Sequence, residues 1–237
     1  GETAKIGDVK SLIEEKLASY NGVTVGTAAK SALYDIEGLV NQYKSVGGDI
    51  SAFEGIEGFE ADLSELKAGL IEAKDYNYDI DFENTYFEHS FSKDITIDAK
   101  NISVTKNSTG LAENAYTLTV EGNKLKVVIP DDHSKDASYK VIINAKAILN
   151  KANANFYVDT AIEVSFDVTK PVEITKFALE EGTITVNVTN NMKANKQKYL
   201  LVLAAYDKDN KLVGVSEVKG ELKTEETIEA ALDASAF

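Results

Sequence analysis

The 237-residue sequence predicts a multidomain chain of α and β class, with an N-terminal helical bundle followed by two antiparallel β-sandwiches. Three observations carry that expectation. Apolar residues recur at helical spacing up to about residue 75. They then fall on every second position in six short runs between Phe87 and Val168, and alternation resumes after Lys170-Pro171.

Val9, Leu12, Ile13 and Leu17 form the stripe of a first helix, which Tyr20-Asn21-Gly22 is expected to stop. Ala29, Leu33, Ile36, Val40 and Tyr43 form a second before Gly47-Gly48. Phe59, Leu63, Leu66 and Leu70 form a third that fades near Lys74. Each stripe is apolar on one side only, so three such helices with short connections should pack as an antiparallel bundle. Residues 1–78 are assigned to it.

From Asp75 to Glu83 the spacing changes from helical to alternating, and acids interleave with aromatics as in an edge strand with one wet face. Asp79, Asp81 and Glu83 also offer the oxygen donors that calcium prefers, without the glycine and distal glutamate of a calcium loop. The six runs follow: Phe87/His89/Phe91, Ile102/Val104, Tyr116/Leu118/Val120, Leu125/Val127/Ile129, Tyr139/Val141/Ile143 and Ile162/Val164/Phe166/Val168. Six half-buried strands in about 80 residues make a β-sandwich, assigned to residues 79–169.

In 170–237, Ile184/Val186/Val188, Leu201/Leu203/Ala205, Leu212 to Val218 and Ile228 to Leu232 predict a second, smaller sandwich. Asp207, Asp209 and Asn210 lie between two of these runs. They suit a tight hairpin, and they are also half of a calcium loop with no glutamate at the required offset. The hairpin is the stronger expectation.

Composition removes several function classes. The chain has no Arg, Cys or Trp and a net charge of -14. Lacking the guanidinium fork and repelled by polyanions, it is not expected to bind nucleic acid or anionic lipid. Thiolate catalysis, disulfides and zinc ribbons are excluded. No apolar run approaches the roughly 18 residues that insert into a membrane, and no signal-peptide pattern precedes Lys5. If the protein is exported, the sequence is expected to be a mature piece or fragment, with Gly1 a tag remnant. Lys and Asn are plentiful enough for a Lys–Asn crosslink in place of disulfides, but no spacing selects a pair.

Catalytic patterns are missing. There is no Gly-x-Ser-x-Gly elbow and no phosphate-cradling glycine loop, and no carboxylate pair is marked out by apolar surroundings. No catalytic or cofactor-binding residue is assigned, and no enzyme activity is expected. Of the two histidines, His89 falls on the inward face of its run and reads as core. His133 sits among Asp131, Asp132 and Asp136 in a polar connection, where solvation is the simpler role than metal binding. Tyr76, Tyr78 and Tyr86 are the candidate rings for stacking on a glycan, against the simpler role of packing between the helices and the sandwich.

At Phe91-Ser92-Lys93-Asp94 and Asn101-Ile102-Ser103-Val104-Thr105 the chain resembles the bacterial Ig-like domains of Gram-positive S-layer and cell-surface proteins. The resemblance continues through Gly122 to Val127, Ser138 to Val141, Ile148 to Asn150 and Glu163 to Phe166. One departure is Ala152-Asn153, where the family has Gly-Asn and so a freer turn. Ile184 to Asn191 and Leu203 to Asp207 look like a second sandwich of extracellular proteins, in which one more strand would follow Asp233 to Phe237.

The resemblance implies two Ig-like sandwiches in an extracellular, cell-surface or cell-wall protein. The expected role is non-catalytic: a structural or adhesive module whose partners are cell-wall polysaccharide or other surface proteins, with self-association through sheet edges. The alternatives are a glycan-binding module, or an accessory region of a larger secreted glycoside hydrolase.

Overall fold

Residues 2–20 and 24–233 are described by a computed structural model. The N-terminal stripes form three helices: α1 (Glu2–Tyr20), α2 (Lys30–Ser45) and α3 (Ile56–Gly69). Gly1, the Asn21-Gly22 stop and residues 234–237 lie outside the described residues. Ile13 and Leu17 of α1, Leu33, Ile36, Val40 and Tyr43 of α2, and Phe59 and Leu66 of α3 meet in one buried cluster. The end of α2 has two causes. Gly47 takes the left-handed φ of 84° that closes the turn, and a Cβ on Gly48 would come 2.2 Å from the Tyr43 ring.

The next strands are β1 (Ala73–Ile80), β2 (Asn84–Phe91), β3 (Ile95–Ile97), β4 (Ile102–Lys106), β5 (Thr109–Gly110), β6 (Thr117–Glu121), β7 (Lys124–Pro130), β8 (Ala137–Ile143), β9 (Ile148–Asn150) and β10 (Ile162–Val168). They form two antiparallel four-stranded sheets, in the orders β1-β2-β7-β6 and β10-β8-β4-β5, with a short β3–β9 pair beside them. Phe87, Phe91, Leu125, Val127 and Ile129 of one sheet and Val104, Tyr139, Val141, Ile143, Val164 and Phe166 of the other belong to one buried core. The two sheets therefore sandwich that core, and each fully buried large side chain contributes about 1.5–3 kcal/mol. Phe166 stacks against Tyr78, Phe87 and Tyr139 at centroid distances of 4.6, 5.7 and 5.7 Å.

β1 begins at Ala73, inside the stretch assigned to the helices. It is the edge strand of its sheet, and side chains from Ala73 to Asn77 are exposed. No side chain in its first half is buried, so the sequence pattern does not register where it begins.

Helices and sandwich are joined by the connection between β9 and β10. Phe156 from that connection is buried in the helical cluster, and a Cβ on Gly69 of α3 would meet its ring at 2.4 Å. Thr27 N–H donates to the Asn155 carbonyl at 2.9 Å, Tyr157 N–H donates to Thr27 Oγ1 at 2.8 Å, and Asn150 Nδ2 donates to the Gly69 carbonyl at 2.9 Å. Ala152 and Asn153 are not among the residues with positive φ. The turn is instead held by side chains: Asn150 accepts from Ala152 N–H and Asn153 from Asn155 N–H.

The C-terminal segment contains β11 (Val172–Glu180), β12 (Thr183–Asn190), β13 (Gln197–Tyr206), β14 (Leu212–Leu222) and β15 (Thr227–Asp233). β11-β12-β15 is a three-stranded sheet and β13-β14 a two-stranded one, both antiparallel. Ile184, Val186, Val188, Leu222, Ala230 and Leu232 form their small common core. Glu181 and Gly182, with φ of 47° and 77°, make the two-residue turn between β11 and β12.

Candidate functional site

The calcium candidates are not gathered. Asp79 Oδ1 accepts from the backbone N–H groups of Ile80 and Lys193 at 2.9 and 2.7 Å, which ties β1 to the β12–β13 connection. Asp81 accepts from Glu83 and Asn84 N–H and from the Tyr86 hydroxyl, closing the β1–β2 turn. Burial pushes the Asp81 carboxyl up, but those hydrogen bonds outweigh it and hold the group below its ordinary value. Asp207 Oδ1 accepts from Asp209 and Lys211 N–H, and Asn210 takes a φ of 59°, as a hairpin requires. Among the described residues no three His, Cys, Asp or Glu side chains cluster as a metal site would need.

The three tyrosines are also separated. Tyr76 and Tyr78 pair across the ladder with His89 and Phe87 and share their face, whereas Tyr86 pairs with Asp79 on the opposite one. Tyr78 is half-buried against Phe166, with Lys193 Nζ 3.6 Å above its ring. It packs toward the C-terminal segment, not toward the helices. Tyr76 alone presents half of its surface on that face, and Tyr86 is held by Asp81. Phe156, a residue that no alternating run marks, fills the place between helices and sandwich.

His89 is buried, stacked on Phe91 at 4.9 Å, with Nδ1 3.1 Å from the Ser90 carbonyl. Burial holds its pKa below the ordinary histidine value. His133 departs from the solvated-loop expectation: it is buried at a left-handed φ of 48°, with Nε2 3.1 Å from the Asn84 carbonyl.

Beside it, the buried Asp131 accepts from the Tyr139 hydroxyl, from His133 N–H at 3.2 Å and from Lys106 Nζ at 2.9 Å. Burial pushes this carboxyl up, yet Tyr139, Lys106 and the His133 N–H together hold it below its ordinary value. Burial first, and Asp131 second, push the Tyr139 hydroxyl upward, so it is a fixed donor and not a base. The cluster pins the β7–β8 connection to the core. His133 Nδ1, 3.6 Å from Asp131 Oδ2, is buried without a hydrogen-bond partner.

Among the described residues no lysine is buried where it could pair with a buried asparagine. Asn150 donates to Gly69, and Asn190 donates to the Asn195 and Lys223 carbonyls.

The surface that alternation does not mark is apolar and lies in the C-terminal segment. Ile174, Phe177 and Leu179 of β11, Leu200, Val202 and Tyr206 of β13, and Val213 and Val215 of β14 are all more than half exposed. Two signals were present in the sequence. Tyr199 to Tyr206 carries no charge on either face, and the apolar spacing of β11 shifts by one residue where the strand bulges between Ile174 and Lys176.

No protein-family model matches the chain, and no curated protein matches it. Among solved structures it is similar to native alpha-2-macroglobulin from Escherichia coli spanning domains MG0-NIE-MG1, with 14% identity and a TM-score of 0.33. The likeness covers 69% of this chain and 60% of that one, and at that level it carries no argument about function.

Proposed function

We propose that the chain is a non-catalytic structural or adhesive module of a secreted, cell-wall-associated or S-layer protein. In this reading 1–78 form a helical bundle and 79–169 and 170–237 two Ig-like sandwiches, the helical side ending nearer Ala73 by strand pairing. The observation that carries the proposal is where the free surface lies. The buried Asp131 is engaged by Tyr139, Lys106 and the His133 N–H, while the exposed contact area of the C-terminal segment consists of apolar strand faces. Such surfaces associate by packing and strand pairing rather than by turning over a substrate. Cell-wall polysaccharide or other surface proteins are the partners in this reading, and the location is extracellular.

Retention of the purified chain on isolated Gram-positive walls or on assembled S-layer protein tests it. Retention that survives Tyr76→Ala supports a protein-facing module, and retention abolished by Tyr76→Ala favours the glycan-binding alternative. Passage through both matrices without delay would sink the wall and S-layer assignment.

A further inference from the structure

We propose that the β12–β13 connection, residues 191–196, is a clasp that holds the C-terminal segment at one fixed angle to the sandwich. The inference goes beyond the surface-module reading and does not depend on it. Two units joined end to end normally move against each other unless their contact is extensive and apolar. Here only Thr169, Lys170 and Pro171 lie between β10 and β11, and the β12–β13 connection reaches back across them.

The clasp carries a plug. Met192, the chain's one methionine, is 1% exposed and lies in the core of the sandwich with Ile80, Phe166 and Val168, although its neighbours in sequence belong to the C-terminal segment. An unbranched thioether suits an irregular gap of this kind. Its backbone is fixed from the other side: Met192 N–H donates to Asn190 Oδ1 at 3.0 Å, and the Met192 carbonyl accepts from Glu225 N–H at 3.2 Å. Asn190 is itself fully buried, and its Nδ2 donates to the Asn195 and Lys223 carbonyls. Because the plug is bonded into the C-terminal segment, that segment cannot swing without drawing Met192 out of the sandwich.

Two further sets of contacts flank the plug. Lys193 N–H donates to Asp79 Oδ1 at 2.7 Å, and Lys193 Nζ stands 3.6 Å from the centre of the Tyr78 ring, which stacks on Phe166. On the hinge side, Asn191 N–H donates to the Pro171 carbonyl at 2.8 Å and Asn191 Nδ2 to the Lys170 carbonyl at 2.7 Å. The proline ring fixes one of the hinge torsions as well. The connection that plugs the sandwich therefore also holds the hinge, and Val172 packs against the cores on both sides of it. Such a joint keeps the apolar faces of β11 and β13 at one angle to the sandwich. Orientation within the folded chain is what the clasp fixes; opening of the C-terminal segment as a unit is a separate event.

The chain has no cysteine, so spin labels go only where cysteines are introduced. In the full chain, Ser103→Cys on β4 with Glu217→Cys on β14 spans the joint, and Ser103→Cys with Thr119→Cys on β6 is the reference within the sandwich; all three side chains are exposed. Pulsed electron resonance reads each distance distribution. Across the joint a single distribution as narrow as the reference is expected. Met192→Asp should widen it about twofold, toward the free motion of a jointed pair, and leave the reference unchanged. If Met192→Asp widens the reference too, the sandwich itself is disturbed, and Met192→Ala combined with Lys193→Ala, which adds no charge, decides in its place. A distribution as broad in the parent as in the variants overturns the proposal. So does one that stays narrow in both variants, since the short linker alone would then set the angle. Met192 also gives a single methyl signal after carbon-13 methionine labelling. Nuclear Overhauser contacts from it to side chains of the sandwich core are expected, and a random-coil methyl signal without them would remove the plug. Wall retention plays no part in these readouts, so either idea can fail alone.

Discussion

Between Ala73 and Val168 a sheet of four strands faces another of four, and Phe87, Val127, Val141 and Tyr139 are each no more than 1% exposed. Between Val172 and Asp233 a sheet of three strands faces one of two, and Phe177 on the core side stays 68% exposed. Both regions are built of alternating strands of comparable apolar content. The difference is the width of the covering sheet: a strand's inward face is buried only if a strand of the other sheet lies above it. Alternation specifies which side chains point inward, but not whether anything covers them.

Truncating one aromatic in each region is the sharpest way to break that comparison. Phe87→Ala removes a ring stacked on Phe166 and Tyr76, and is expected to cost about 3–5 kcal/mol in urea unfolding. Phe177→Ala should stay within about 0.5 kcal/mol, as surface substitutions do. Equal costs would mean that β11 is covered in solution.

The joint between helices and sandwich comes next. Phe156→Ala withdraws the one sandwich side chain in the helical core, and a loss of about 3 kcal/mol is expected. Helix loss should then precede sheet loss on heating, seen as separation of the far-ultraviolet and tyrosine transitions. Transitions that stay coincident would show that Thr27, Asn150 and Lys30–Asp159 suffice to hold the two together.

Asp131→Asn tests the polar cluster, with an expected loss of about 2 kcal/mol; the partial exposure of Lys106 keeps the figure below that of a fully buried pair. The sign follows from its lowered folded-state pKa. The stabilisation is present above the unfolded carboxyl value of about 3.9 and disappears as pH falls through the folded one. The difference between parent and variant should therefore shrink only below about pH 4. A difference that persists undiminished at lower pH would assign the loss to packing instead.

Much of this fold was legible because its determinants are local. Helical stripes and two-residue alternation mark α1 to α3 and six of the sandwich's strands, since burial of one face is written into each segment. His89 could be placed for the same reason. What could not be read depends on contacts made by distant residues. Tyr78 and Asp79 look available in sequence, but Lys193 takes both. His133 looks solvated among acids, but the Asn84 carbonyl and the fold of the β7–β8 connection bury it. Phe156 lies in no apolar run because its partners, including Phe59 and Leu66, are far away in sequence. The bulge in β11 breaks the alternation that would have shown Ile174, Phe177 and Leu179 as one face.

The smallest expected effect is also the one that separates the closed sandwich from the open segment by pH alone. His89 lies among Tyr76, Phe87 and Phe91, and burial opposes its charged form. Its folded-state pKa is below the unfolded value of 6.5, so the unfolded chain takes up this proton first. Stability is therefore full above pH 6.5 and declines as pH falls from there to the folded pKa. Carboxylates such as Asp131 do not yet titrate over most of that interval. The His89→Gln variant should lack this part of the decline, and the parent-minus-variant difference in urea midpoint should move as pH falls below 6.5. Because the C-terminal segment contains no histidine, exchange of the β12 amides through opening of that segment alone should not follow the same curve. If it does, the two regions unfold as one unit, and the open face of β11 is coupled to the core of the sandwich through Met192 and Val172.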